Sequence, residues 1–193
     1  KFTSLETLIE FAHRVKELGA TQREVVIRII ENPKTGTVGE RNAVRLVYEV
    51  EKLGVKSLPV EQFLNELLSE PVIGTIDGRD LPSVFRECGK LSEQQKSFLK
   101  SLLSKIKFTP MSSYCVPLLA SEASQLNDKE INTLEERIRE LFLIDAVDGV
   151  EGNSIPSLVR GLKSLSEERY KGLVNILSSS PVTGIGGNSL AWI

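Results

Sequence analysis

Apolar residues recur along this chain at helical spacing. Leu5, Leu8, Ile9, Ala12 and Val15 share one face of a helix, as do Val84, Phe85, Cys88 and Leu91. Each such stretch closes on a leucine, and a polar, cap-like start for a second helix follows. Thr21-x-x-Glu24, Ser92-x-x-Gln95 and Asn127-x-x-Glu130 all fit the pattern in which the first side chain accepts from the backbone and the third reaches back. Ser166 stands in the same place, with Arg169 where the acid or amide is expected. The second helices are amphipathic, through Val25, Val26, Ile29 and Ile30, then Phe63, Leu64, Leu67 and Leu68, then Ile131, Leu134, Ile138 and Leu141. Stretches rich in Pro and Gly join the pairs: Asn32-Pro33 to Gly36, Pro71 to Gly74, Gly149 to Gly152 and Pro181 to Gly184. Proline ends a helix and glycine supplies a tight turn, so these read as plain connectors. The pattern predicts helical hairpins and no strand of useful length.

The hairpins are copies of one another. Leu81 to Ser104 laid over Ile155 to Ser178, a shift of 74, matches nine of 24 positions, with Pro82/Pro156, Arg86/Arg160 and Leu91/Leu165 among them. A third copy, with Val116-Pro117-Leu118-Leu119 and Leu126, falls between them. Gly36-Thr37-Val38 and Arg41 match Gly74-Thr75-Ile76 and Arg79 at a shift of 38. The anchor leucines are Leu18, Leu53, Leu91, Leu126 and Leu165, at spacings of 35, 38, 35 and 39, and burial between hairpins is expected of Leu53, Leu91, Leu126 and Leu165. Asn188-Ser189-Leu190 echoes Asn153-Ser154-Ile155 and opens a sixth unit. One hairpin cannot bury its apolar faces alone, so neighbours must share a core. The expected fold is all-α, a short right-handed α-solenoid of about five hairpins with a period of ~37 residues. Residues 1–193 form a single helical-repeat domain in this reading, with units at 1–31, 32–70, 71–107, 108–144 and 145–180 and a partial unit at 181–193.

Charge narrows the function classes. Lys and Arg number 24 against 26 Asp and Glu, a net charge of −2, whereas a polyanion-binding domain usually has a pI above about 9. Two cysteines make no disulfide framework, and one histidine, His13, removes most catalytic dyads and every multi-histidine metal site. His13 is expected on the flank of its helix, and Cys88 at a core position. Gly36 to Gly39 and Gly184 to Gly187 invite comparison with phosphate-binding loops, but a helix precedes each where the fingerprint needs a strand. The reading therefore has no catalytic, cofactor-binding or metal-binding residue, no small-molecule substrate and no membrane insertion.

From about Ser4 to Ser180, the leucine-closed first helix, polar second-helix cap and short linker resemble the organellar helical-hairpin repeats of the pentatricopeptide, heptatricopeptide and octotricopeptide families. The resemblance implies a mitochondrial matrix protein whose presequence has been removed. Members of this kind bind single-stranded RNA, one nucleotide per repeat, or serve as structural subunits of large organellar assemblies, an ATP synthase among them. The base-reading positions it implies are Asn42, Asp80, Cys115, Ser154 and Ser189, a set that includes an anionic and a poorly hydrogen-bonding side chain. With the near-neutral charge, that favours protein subunits as partners and disfavours RNA. A repeat array offers its groove and its two ends. The expected partner-binding residues are Phe2 and Leu5 (with Leu8) at the first end and Leu190, Trp192 and Ile193 at the second, the Trp192 end foremost.

Overall fold

The structure, a computed structural model, describes residues 3–69, 72–105, 108–144, 147, 149–179 and 184–192. The chain is all-α and divides into two compact units, Lys1–Lys90 with Ser112–Pro117, and Leu91–Met111 with Leu118–Ile193.

The first unit holds α1 (Leu5–Glu17), α2 (Ala20–Glu31), α3 (Glu40–Leu53), a 3-10 turn (Gly54–Lys56), α4 (Ser57–Leu67) and α5 (Leu81–Gly89). Like packs on like, one hairpin apart: α1 on α3, α3 on α5, and α2 on α4. Each second helix also meets the next first helix, α2 on α3 and α4 on α5. The core is where these faces converge. It comprises Val25, Val26 and Ile29 of α2, Leu46, Val47 and Val50 of α3, Phe63, Leu64 and Leu67 of α4, and Val84, Phe85 and Cys88 of α5, all buried. Each large side chain removed from water in this way contributes ~1.5–3 kcal/mol.

The second unit holds α6 (Glu93–Lys105), β1 (Phe108–Thr109), most of α7 (Cys115–Ser124), α8 (Asp128–Phe142), β2 (Val150–Glu151), α9 (Ile155–Ser164), α10 (Glu167–Ser178) and α11 (Gly187–Leu190). Here α6 packs on α8, and α8 on α9. Phe98, Leu99 and Leu102 of α6 and Ile131, Leu134, Ile138 and Leu141 of α8 are buried, as expected from their spacing.

Of the anchor leucines, Leu18, Leu91 and Leu126 are buried, but Leu53 and Leu165 are only half-buried. Leu53 sits at the very end of α3, where the chain leaves through Gly54 at φ 54, and its side chain lies across the bare Cα of Gly89. Leu165 follows α9 in extended backbone and belongs to the last full hairpin, so one side lacks a neighbouring pair among the described residues.

Most second helices start as their sequences indicate. Asn127 and Glu130 exchange both capping bonds, at 2.9 and 3.0 Å, and Ser92 and Gln95 do the same at 2.7 and 3.2 Å. Ser166 accepts from the Arg169 N–H at 3.3 Å. The Thr21–Glu24 cap is corrected: α2 begins earlier, at Ala20, and the Gly19 N–H donates to Gln22 Oε1 at 3.0 Å. Glu24 pairs instead with Arg28 at 2.6 Å.

The glutamines of these caps have a second task. Gln22 Nε2 donates to the Val50 carbonyl at 3.1 Å, and Gln95 Nε2 donates to Ser124 and Leu126 at 3.2 and 2.9 Å. An amide has both an acceptor for its own helix start and donors for its neighbour's last carbonyls, which a carboxylate lacks. Where α8 has Glu130 at this place, the neighbour supplies the donor, with Lys163 Nζ reaching the Gln125 carbonyl at 3.2 Å and lying 3.9 Å from Glu130.

The strands are only two residues long, in keeping with the expectation of none of useful length, but the connectors are more than the plain turns expected. Thr35 bridges Ile76, β1 pairs with β2 (Phe108 with Val150, Thr109 with Glu151), and Val147 bridges Ile185, all in parallel. Each linker thus runs alongside the next one in its unit. The first junction is fixed by the Gly36 N–H donating to the Ile76 carbonyl and the Ile76 N–H to the Lys34 carbonyl, both at 2.7 Å. Gly78 and Gly152, one 74-residue step apart, sit where adjacent linkers touch backbone to backbone. The bridge from Thr35 to Ile76 and the helix starts at Glu40 and Leu81 both span 41 residues, so the match of Gly36-Thr37-Val38 to Gly74-Thr75-Ile76 at 38 is not the structural register.

Candidate docking surfaces

Two side chains anchor the start of α1. Ser4 Oγ accepts from the Thr7 N–H at 3.3 Å, and the Glu40 carboxylate, at the start of α3, accepts from the N–H of Thr3 at 2.6 Å and of Ser4 at 3.1 Å. Those two backbone bonds hold the Glu40 carboxyl below the usual carboxylate range. The helix so placed turns Thr7, Phe11, Arg14 and Val15 inward to half-burial and buries no residue fully. Leu5 remains 71% exposed, Leu8 41% and Ile9 60%. Ala12 is exposed in line with them, and Glu6, Glu10, His13 and Glu17 are exposed along one border of this stripe. His13 lies on the flank as expected, its Nδ1 3.2 Å from Glu17.

The other expected end differs. Leu190 is buried, not presented, because α11 packs on β2 and draws Leu190 and Ala191 into the second unit. Trp192 is 83% exposed. Phe2 and Ile193 lie outside the described residues. Leu5 belongs to the first unit and Leu190 and Trp192 to the second. Ile9, placed from sequence on the apolar face of this helix, and the glutamate border were not among the expected partner-binding residues, although the helical spacing of Leu5, Glu6, Ile9 and Glu10 contained the signal.

Three arginines on the first helices of the hairpins face carboxylates of a neighbouring first helix. Arg14 lies 3.7 Å from Glu51, Arg86 3.9 Å from Glu49, and Arg160 2.6 Å from Glu122, each pair joining successive first helices. Lys52 and Lys90 pair with Glu49 and Glu87 on their own helices at 3.8 and 2.7 Å. Tyr48 receives Lys52 over its ring at 4.0 Å and Arg14 at 5.4 Å.

The positions that would read bases are variously committed. Asp80 accepts from Ser113 Oγ at 2.7 Å, and Cys115 is buried, which pushes its thiol up. Asn42 and Ser154 are half-buried, and Ser189 is exposed.

A cleft of about 300 Å³ between α8 and α10 holds a polar network. Arg137 stacks 4.6 Å over the Tyr170 ring, binds Glu167 at 2.9 Å and donates to the Leu165 carbonyl at 3.3 Å. The Tyr170 hydroxyl donates to Glu140, and burial together with that bond raises its pKa well above the usual phenol range. These contacts join the two second helices α8 and α10 along a polar seam. Among the described residues no group of three or more His, Cys, Asp or Glu is placed to hold a metal ion, and no helix is long and apolar enough to cross a membrane.

Comparison with known protein families, with curated proteins and with solved structures finds no match in any of the three.

Proposed function

We propose that the stacking within each unit continues as a short right-handed α-solenoid of about five hairpins, and that this solenoid is a non-catalytic adaptor in a larger assembly. The partners in this reading are protein subunits. The resemblance to organellar hairpin repeats makes that assembly a mitochondrial one, and an ATP synthase catalytic head is its sharpest version. The observation that carries the reading is the open apolar face of α1, with Leu5, Leu8 and Ile9 in water on a chain that otherwise buries its helix stripes. The pairing of Arg14, Arg86 and Arg160 with carboxylates supports it, because phosphate binding needs cations that are free to shed counterions.

Titration of labelled single-stranded RNA at physiological ionic strength tests the reading. Weak binding, erased by moderate salt, is expected from the charge balance. Sub-micromolar binding with sequence preference would replace the adaptor by an RNA-binding repeat protein.

A further inference from the structure

We propose that the open face of α1 receives an amphipathic helix of a partner protein, one whose apolar stripe is bordered by lysines or arginines. This rests on the adaptor reading and specifies its docking chemistry.

The shape of the occupant follows from how the chain packs. Every first helix of the first unit other than α1 has a first helix stacked on its leading side: α1 covers α3, and α3 covers α5. The leading side of α1 carries the same kind of stripe, Leu5, Leu8, Ile9 and Ala12 at i, i+3, i+4 and i+7, with no helix of the described residues upon it. A helix is the element that fits ridges spaced in this way.

Charge selects among helices. Glu6, Glu10 and Glu17 stand along one border of the stripe, with His13 among them and Lys16 in line with Ile9 and Ala12. Glu10 and Glu17 touch Arg14 and His13, yet each side chain keeps about half its surface in water, 52% and 53%. At the next junction inward, a carboxylate on the leading side of a first helix is met by an arginine of the helix stacked on it, as Glu51 of α3 is by Arg14 of α1 at 3.7 Å. The same junction continued outward from α1 takes its cation from the incoming helix. A second copy docked antiparallel through this face would set the glutamate border against itself, and a phosphate backbone would meet the same repulsion.

The test uses the whole chain and two labelled model peptides, each an amphipathic helix with a leucine and alanine stripe, one bordered by lysine and its twin by glutamate. Fluorescence anisotropy at low and physiological salt reads binding. The lysine-bordered peptide should bind, more weakly as salt rises, and the glutamate-bordered twin should not. Leu5→Asp with Ile9→Asp should weaken binding about tenfold or more, and both sites are exposed, so circular dichroism should be unchanged. Glu6→Lys with Glu10→Lys should invert the preference between the peptides.

Equal binding of the two peptides, binding of neither, or a preference that survives charge reversal overturns the proposal. So does self-association abolished by the Leu5→Asp, Ile9→Asp variant, since the occupant is then a second copy. These failures leave the adaptor reading intact as long as RNA binds weakly, whereas tight sequence-selective RNA binding removes that reading whatever the peptides do.

Discussion

Replacing Gly78 by alanine tests whether the paired linkers, and not the helices alone, hold the hairpins in register. A Cβ built there falls 2.7 Å from the Thr37 carbonyl carbon and 2.8 Å from Val38 Cα, with the Thr37 oxygen closer still. Carbon atoms rest at ~3.5–4.0 Å, so the two linkers must separate by about 1 Å. The Gly36–Ile76 and Ile76–Lys34 bonds, at 2.7 Å, would then stretch beyond hydrogen-bonding range. Two such bonds contribute ~0.5–1.5 kcal/mol each. Strain from overpacking adds ~1–3 kcal/mol, and the stiffer unfolded chain returns ~0.4–1 kcal/mol. The expected loss is therefore about 1–5 kcal/mol. Gly152→Ala should behave alike in the second unit, because its Cβ would lie 2.6 Å from Met111 N and Cα. Two controls bracket the effect. At Gly89 the Cβ meets only the Leu53 side chain, which can rotate away, so the loss should be smaller. At Gly172, inside α10, it meets nothing, and alanine should stabilise by ~0.5–1 kcal/mol through helix propensity. Urea unfolding followed by circular dichroism measures all four. Midpoints for Gly78→Ala and Gly152→Ala equal to that of the parent would show that the linkers do not set the register.

Leu126→Ala should cost ~2–5 kcal/mol and Leu53→Ala clearly less in the same urea assay, because only the first is buried. Gln95→Glu keeps the acceptor that caps α6 but loses the donors to Ser124 and Leu126, so it should destabilise by about 1–3 kcal/mol while leaving helicity unchanged. The Asp77 carboxyl is held down at about 2 by its bonds from the Arg79 side chain and N–H. Its folded pKa lies below the unfolded value, so its contribution is present above about pH 4 and disappears as pH falls toward 2. Asp77→Asn should flatten that part of the acid limb in thermal melts between pH 5 and pH 2, and an unchanged limb would exclude the Arg79 interaction as its source.

The helices were legible because their information is local and periodic. Val84, Phe85 and Cys88, or Ile131, Leu134 and Ile138, can face a core only at helical spacing, and Asn127 with Glu130 marks a helix start without knowledge of the fold. The start of α2 was hidden because Gly19 offers no side chain and Gln22 does the capping from the opposite direction. Linker pairing was hidden for a different reason: bridges one or two residues long contain too little sequence for alternation to register. Its trace was the recurrence of Gly78 and Gly152 at twice the repeat period. For Leu190 two sequence signals conflicted. Its echo of Ile155, itself fully buried, pointed inward, while the truncated repeat pointed to exposure, and packing of α11 on β2 decided in favour of the echo. The α1 face was half legible, since Leu5 was singled out, but only the packing of α1 on α3 shows which side of the helix stays open.

The most direct test of the adaptor reading is native purification of the tagged full chain at physiological salt, with and without ribonuclease, followed by mass determination of the intact complex. The account predicts protein subunits in fixed ratio to this chain, retained after nuclease treatment and without stoichiometric RNA. Recovery of the chain with RNA, and dispersal of its companions once the RNA is digested, would contradict it.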